Sequence, residues 1–253
     1  MELTNRVALV TGAGRGIGAA VARALAGAGA RVALVARTEE DVRALARELD
    51  PSGERALALP GDVAEEAEVE RLFDEAEARL GPLDVLVNNA GIPTRRPFEV
   101  ADYPTADFDR ILGVNLRGAF FCARSAARRM RERRSGTIVN IGSISGIRAA
   151  PDVLPYSVAK FGIEALTETL IAENTKHGIK CHAVCPGVTN SSIWDRKEVP
   201  LPADVRARML EPGDVAEVVL FLLRLPHRVR IDRVVLTPNV FPMKLWDYPL
   251  LDS

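Results

Sequence analysis

Two side chains in this sequence stand four residues apart and are suited to moving a proton: the phenol and the ammonium of Tyr156-Ser157-Val158-Ala159-Lys160. At the start of a helix this spacing sets both on one face. A free tyrosine ionises near pH ~10, too high for a base at neutral pH. A neighbouring cation favours the phenolate and lowers that value. A pair so tuned gives a proton to a carbonyl oxygen or takes one from an alcohol. Such pairs are common, however, and a Tyr-x-x-x-Lys alone reads more readily as a surface pair.

A second stretch is suited to phosphate. Thr11-Gly12-Ala13-Gly14-Arg15-Gly16-Ile17-Gly18 follows the apolar run Val7-Ala8-Leu9-Val10 and leads into a helical pattern from Gly18 to about Ala28. Glycines allow a tight turn and close backbone approach to a pyrophosphate, and the helix N-terminus supplies N–H donors and partial positive charge. In dinucleotide folds an acidic residue about 20 positions on takes the ribose 2′-hydroxyl of NAD, whereas an arginine accommodates the 2′-phosphate of NADP. Here Ala36 stands at the acidic position, Arg37 follows it, and Arg15 lies in the glycine loop. A guanidinium fork matches a phosphate well. The sequence therefore points to NADP(H), with Glu39 and Glu40 leaving NAD(H) as the alternative.

A third candidate dissolves. Cys181-His182-Ala183-Val184-Cys185 has the residue types of a metal site, but Ile179–Val184 reads as a strand. Residues four apart in a strand are separated by about 13 Å, too far to share a tetrahedral zinc. Core cysteines are the better reading, and no metal is expected.

These groups need elements to carry them. Strand-like runs at Val7–Val10, Arg31–Ala36, Ala56–Leu59, Val85–Val87, Thr137–Ile141, Ile179–Val184 and Asp232–Leu236 alternate with helical patterns. The helices are expected near Gly18–Ala28, Glu39–Leu49, Ala64–Arg79, Phe108–Arg134, Ser157–Lys176 and Val215–Leu223. Such alternation predicts an α/β fold, a doubly wound parallel sheet of about seven strands with helices on both faces. The strands lack polar alternation, which fits burial on both sides. At 253 residues the chain suffices for one such domain, spanning 1–253. A net charge of −1 gives no reason to expect a nucleic-acid or membrane partner. No apolar stretch nears the ~20 residues that span a bilayer, the N-terminus has no targeting pattern, and an odd count of three cysteines suits a reducing, cytoplasmic setting.

Thr11 with Gly12-x-x-x-Gly16-x-Gly18, Asn88-Asn89-Ala90-Gly91 after the fourth strand, and Asp62 after the third resemble the short-chain dehydrogenase/reductase family. The match runs from Val7 to Pro186-Gly187 and more loosely to Leu236. The resemblance implies a Rossmann-type oxidoreductase moving a hydride between a nicotinamide cofactor and a carbonyl or secondary-alcohol substrate. It implies catalytic roles for Tyr156 and Lys160, for Ser143, 13 residues before the tyrosine, and for Asn115, which would order a proton-relaying water. Ser143 rather than Ser145 has the family's spacing.

The resemblance also implies a cofactor held by Gly12, Gly14, Arg15, Gly16, Ile17 and Gly18, and by Arg37 and Thr38. Asp62 and Val63 would lie by the adenine, with Asn89, Ala90 and Gly91 alongside. At the nicotinamide end stand Tyr156, Lys160, Pro186, Gly187 and Thr189. The family's main subunit contact uses the two helices Phe108–Arg134 and Ser157–Lys176, so a homodimer or homotetramer is expected. The segment 187–205, with Trp194, would roof the substrate, and 239–253 would form a docking tail. Arg95 and Arg96 are candidates to meet a substrate carboxylate, although a solvated surface is the commoner place for an arginine. The chain departs from many family members after the late helix, with Ile231-Asp232-Arg233-Val234-Val235-Leu236-Thr237-Pro238 in place of Val-Asp-Gly-Gly. That weakens a ketoacyl-reductase reading. The competing functions are an NAD(H)-linked alcohol or hydroxy-acid dehydrogenase and a non-catalytic dinucleotide-sensing regulator.

Overall fold

The computed structural model describes residues 3–94, 96, 98–149, 151, 153–191 and 202–239. Seven strands form one sheet: β1 Val7–Thr11, β2 Arg31–Ala36, β3 Ala56–Pro60, β4 Val85–Asn88, β5 Gly136–Ile141, β6 Ile179–Pro186 and β7 Arg233–Leu236. Their order is β3-β2-β1-β4-β5-β6-β7, and every neighbouring pair is parallel. Parallel strands need crossover helices, and those helices bury both faces of the sheet.

The period of two in each strand sorts its side chains into two cores. From β1, Val7 and Leu9 enter one core while Ala8 and Val10 enter the other. The first core is closed by helices α3 (Glu66–Leu80), α5 (Ala119–Arg133) and α6 (Leu154–Asn174), through residues such as Phe73, Met130 and Ile171. The second is closed by α1 (Gly16–Gly27), α2 (Glu39–Leu49) and α7 (Pro212–Arg224), through Leu25, Leu45 and Val219. Leu9, Leu25, Leu34 and Leu86 have essentially no exposed surface, and each such burial stabilises by roughly 1.5–3 kcal/mol relative to exposure.

Local signals explain several boundaries. Helix α2 carries Glu39, Glu40 and Asp41 in its first turn and Arg47 in its last, which complements the helix dipole. Helix α3 stops at Gly81, whose φ of +99° a residue with a Cβ rarely adopts. Helix α6 begins at Leu154, earlier than the expected Ser157, because Pro155 sits in the first turn, where its missing N–H has no bond to lose. It gives way at Thr175–His177 to a 3₁₀ turn. Helix α1 begins at Gly16, α3 at Glu66 and β7 at Arg233, small shifts from the sequence expectation.

The expectation of one uniform helix over Phe108–Arg134 is corrected. Helix α4 spans Thr105–Leu112, a π-helical turn occupies Gly113–Gly118, and α5 follows. Gly118 packs against Val63, where an added Cβ would lie 2.9 Å from both Val63 Cγ2 and the Val63 carbonyl oxygen. Asn115, inside the turn, is bonded to backbone outside the helix.

Polar groups also enter the interior. The Asn88 amide nitrogen donates to Asn140 Oδ1 and to the Ala119 carbonyl, both at 3.0 Å. Asn140 donates to Thr167 Oγ1 at 2.8 Å, and Thr167 donates to the Ile163 carbonyl at 2.7 Å. On β6, Cys181 joins the first core and Cys185 donates its thiol to Glu164. Burial pushes both thiols up to about 12.

Candidate active site

The direction of winding reverses between β1 and β4, and ligands of open α/β sheets bind in the crevice outside the strand ends at such a point. The glycine loop lies there. Thr11 Oγ1 accepts the N–H groups of Asn89 and Ala90, each at 3.0 Å. The Asn89 side-chain amide returns two bonds, to the carbonyls of Thr11 and Gly12 at 3.0 and 3.2 Å. The two motifs at the ends of β1 and β4 thus form one hydrogen-bonded unit.

Gly12 and Gly16 have φ of +65° and +56°, a region that favours glycine. A Cβ on Gly12 would lie 2.8 Å from the Ala90 Cα. No side chain caps the N-terminus of α1 and no acidic residue occupies its first turn. This backbone cradle, ending on an uncapped helix dipole, fits a dinucleotide pyrophosphate.

A cleft runs from this loop in two directions. Toward the sheet edge at β3 it is lined by Gly12, Gly14, Arg15, Gly16, Ile17, Arg37, Thr38, Asp62, Val63, Asn89, Ala90 and Gly91. Arg37 Nη1 lies 3.8 Å from Asp62 Oδ2 and is half-exposed. Arg15 makes no ion pair among the described residues. Toward β5 and β6 the cleft is lined by Ser143, Tyr156, Lys160, Pro186, Gly187 and Thr189. Ile17, Asn89, Gly91, Ile92, Pro93 and Ser191 line both halves, so the cleft is continuous.

Two expected residues stand behind the surface of the cleft. Gly18 packs beneath the loop, where an added Cβ would lie 2.2 Å from the Gly12 carbonyl oxygen. It shapes the loop and does not line the cleft. Asn115 is buried in the π turn, where its Oδ1 accepts from Ile92 N–H at 2.7 Å and its Nδ2 donates to Ile92 O at 2.9 Å. It fastens the stretch after Gly91 from behind.

The Tyr156 phenol is shifted up by burial, with the Ser143 hydroxyl beside it opposing that shift. This corrects the expectation that Lys160 sets the tyrosine downward. The Lys160 nitrogen lies 5.7 Å from the centroid of the Tyr156 ring and donates to the Ile141 carbonyl at 2.8 Å. It thus faces the ring and the end of β5. Burial pushes Lys160 itself down to about 8, against the pull of Cys185 and Glu164. Ser143 Oγ accepts the Ser145 N–H at 3.1 Å, which orients its hydroxyl. Thr189 is fixed by a parallel bridge to Leu210, and Gly187 N–H donates to the Leu236 carbonyl at 2.7 Å.

Sequence reasoning missed Asp41, which lines the cleft beside Arg37 and crowds Gly14, where an added Cβ would lie 2.9 Å from the Asp41 Cβ. No motif marks it, since three acidic residues open α2 for the dipole alone. It also missed the apolar wall of Ile92, Pro93, Ile144, Val153 and Val188 around Tyr156. Within the expected roof at 187–205, residues 192–201, with Trp194, lie outside the described residues, as do Arg95 and residues 240–253 of the expected tail. Arg96 is described and exposed.

A family model described as short chain dehydrogenase matches residues 6–199. The cis-4-hydroxycyclohexanecarboxylate dehydrogenase of Sinomonas cyclohexanicum is 41% identical over 230 residues, covering 86% of this chain and 89% of its own. Among solved structures, a 3-ketoacyl-(acyl-carrier-protein) reductase from Brucella melitensis complexed with NADH superposes with a TM-score of 0.85 at 28% identity, over 94% of this chain and 99% of that one. An alcohol dehydrogenase from Thermococcus sibiricus complexed with 5-hydroxy-NADP superposes with a TM-score of 0.83 at 28% identity, over 92% and 97%.

Proposed function

This chain belongs to the short-chain dehydrogenase family, and from that premise we propose that it interconverts a ketone and a secondary alcohol with NADP(H) as the redox partner. The observation that carries the reading is the continuous cleft joining the Gly12–Gly16 cradle to Tyr156, Lys160 and Ser143. A nicotinamide dinucleotide, when bound, supplies the hydride chemistry. Gly12, Gly14, Arg15, Gly16 and Ile17 would hold its pyrophosphate, shaped by Gly18 beneath. Arg37 and Thr38 would meet the adenosine ribose, with Asp62, Val63, Asn89, Ala90 and Gly91 along its length. Pro186, Gly187 and Thr189 would bound the nicotinamide end.

The chain's own residues handle the proton and the oxygen. Tyr156, protonated through the neutral range because burial raises its phenol, donates a proton to the carbonyl oxygen in reduction and accepts it in oxidation. Ser143 hydrogen-bonds that oxygen as charge develops. Lys160 contributes a positive charge beneath the Tyr156 ring. Asn115 acts from behind, by holding Ile92.

The apolar wall around Tyr156 favours a compact substrate of largely hydrocarbon surface, such as an alicyclic ring bearing one oxygen. The Sinomonas relative is named for cis-4-hydroxycyclohexanecarboxylate, an alicyclic alcohol that also carries a carboxylate. Half-exposed Phe120 on α5 and Phe161 on α6 support self-association through these helices, as a homodimer or homotetramer. A cytoplasmic location belongs to the same reading. Among the described residues, no helix is long and apolar enough to cross a membrane.

Asp41 favours a second reading, with NAD(H): a carboxylate beside Arg37 opposes a 2′-phosphate. Titration with NADPH and with NADH, followed by nicotinamide fluorescence, decides between them. The NADP(H) reading expects NADPH to bind more tightly and Arg37→Ala to weaken it by about 10- to 100-fold, the loss of one charge-assisted pair. Tighter NADH binding, indifferent to Arg37, overturns it. Binding without turnover on any ketone or alcohol would favour a dinucleotide sensor.

A further inference from the structure

The catalytic reading leaves one buried charge unused. Glu164 follows Lys160 by one turn of α6, and its side chain is only 7% exposed. Its Oε1 accepts the Cys185 thiol at 3.1 Å, and its Oε2 accepts Arg233 Nε at 2.6 Å. Arg233 in turn reaches Glu168 at 3.1 Å. The carboxylate also packs against the backbone that carries the site, since a Cβ on Gly142 would lie 2.6 Å from Glu164 Oε1. Gly142 joins Ile141, whose carbonyl takes the Lys160 bond, to Ser143.

We propose that Glu164 is a positioning residue for Lys160: held between β6 and β7, it keeps the lysine an ammonium beneath the Tyr156 ring. This rests on the functional reading above. An ammonium taken out of water tends to lose its proton, and a nearby anion counters that tendency. The direction of the influences on Lys160 agrees, burial pulling it down while Cys185 and Glu164 pull it up. The groups facing this pair are Tyr156 and Glu168 from α6, Cys185 from β6 and Arg233 from β7. Burial holds the Cys185 thiol protonated, while the Glu164 carboxylate is ion-paired with Arg233 at 2.6 Å. A purely structural Glu164 would only tie β7 to α6.

The test is a titration of Lys160 itself. The chain has five lysines, so full-length protein labelled with ¹³C at lysine Cε gives few NMR signals, and Lys160→Met assigns the one required. In Glu164→Gln the Lys160 midpoint should fall by about one pH unit or more, and the alkaline limb of ketone reduction should move down with it. A midpoint unchanged in folded Glu164→Gln overturns the proposal. Should that variant not fold, Arg233→Met removes the competing cation, and the Lys160 midpoint should rise; a midpoint unmoved or lowered there also overturns it. Because the titration needs no turnover, an enzyme inactive on every ketone and alcohol tried would defeat the functional reading while leaving this result to stand or fall separately.

Discussion

At the scale of single residues, Tyr156 sets the terms. A phenol raised by burial stays protonated to higher pH than a free one, so as proton donor it serves reduction across the neutral range. Ketone reduction is therefore expected to hold steady through neutral pH and decline in alkali as Lys160 and then Tyr156 lose their protons, while alcohol oxidation, which needs the phenolate, climbs with pH. Steady-state rates in both directions over a pH series check this, and an oxidation rate flat from neutral to alkaline pH would contradict it. Replacing Tyr156 with Phe removes the proton source while keeping the ring that Lys160 faces. Turnover should fall by about 10²- to 10⁴-fold with cofactor affinity retained. Near-normal turnover in that variant would remove Tyr156 from the role.

At the scale of elements, the loop between β1 and α1 depends on an absent side chain. Gly18 stands over the Gly12 carbonyl oxygen so closely that one methyl group has no room. Gly18→Ala is expected to push the loop off Asn89, weakening dinucleotide binding by more than tenfold and lowering the melting temperature. Gly27→Ala is the control, because an added Cβ there meets nothing within 4 Å. Equal behaviour of the two variants would refute the packing argument.

Much of this architecture was legible in the residues. Arg31–Ala36 and Glu39–Leu49 could be bounded to the residue, because an apolar run gives way at Arg37-Thr38 to charged residues with a clear helical face. The glycine loop and the Tyr156–Lys160 spacing were legible because chemistry constrains residue type there. The π turn was not, since no residue pattern marks it and Gly118 within it meets Val63, 55 positions away. Asp41 hid among first-turn acids that serve any helix. The upward shift of Tyr156 was also out of reach, because it follows from burial and from where Lys160 points. A spacing of four fixes neither.

At the scale of the whole molecule, two hydrophobic cores share one sheet, and the cleft lies along its upper edge. The interior holds a group that ties stability to acidity. His182 is fully buried, with Nδ1 2.6 Å from the Ile231 carbonyl oxygen and Nε2 without a partner among the described residues. Burial lowers its affinity for a proton. The unfolded chain therefore binds that proton first as pH falls through the ordinary histidine range. Unfolding free energy should drop with pH through that window, and stability should be full above it. Urea unfolding of wild type and His182→Gln between about pH 5 and pH 8, the range of ordinary histidine titration, measures the difference. A wild-type slope no steeper than the variant's would rule His182 out as its source.

The buried amides of Asn88 and Asn140 bear on the structures this chain avoids. Strands built from Val, Leu, Ile and Ala can slide along one another by two residues and still hide nearly the same oily surface. Such near-copies of the native sheet would differ little in hydrophobic energy. The chain from Asn88 through Asn140 to Thr167 tells them apart. Any slide of β4 on β5 strands amide groups away from water, at about 1–3 kcal/mol apiece. Three polar side chains thereby open an energy gap between the working sheet and its misaligned rivals, discouraging folding errors in a long parallel sheet.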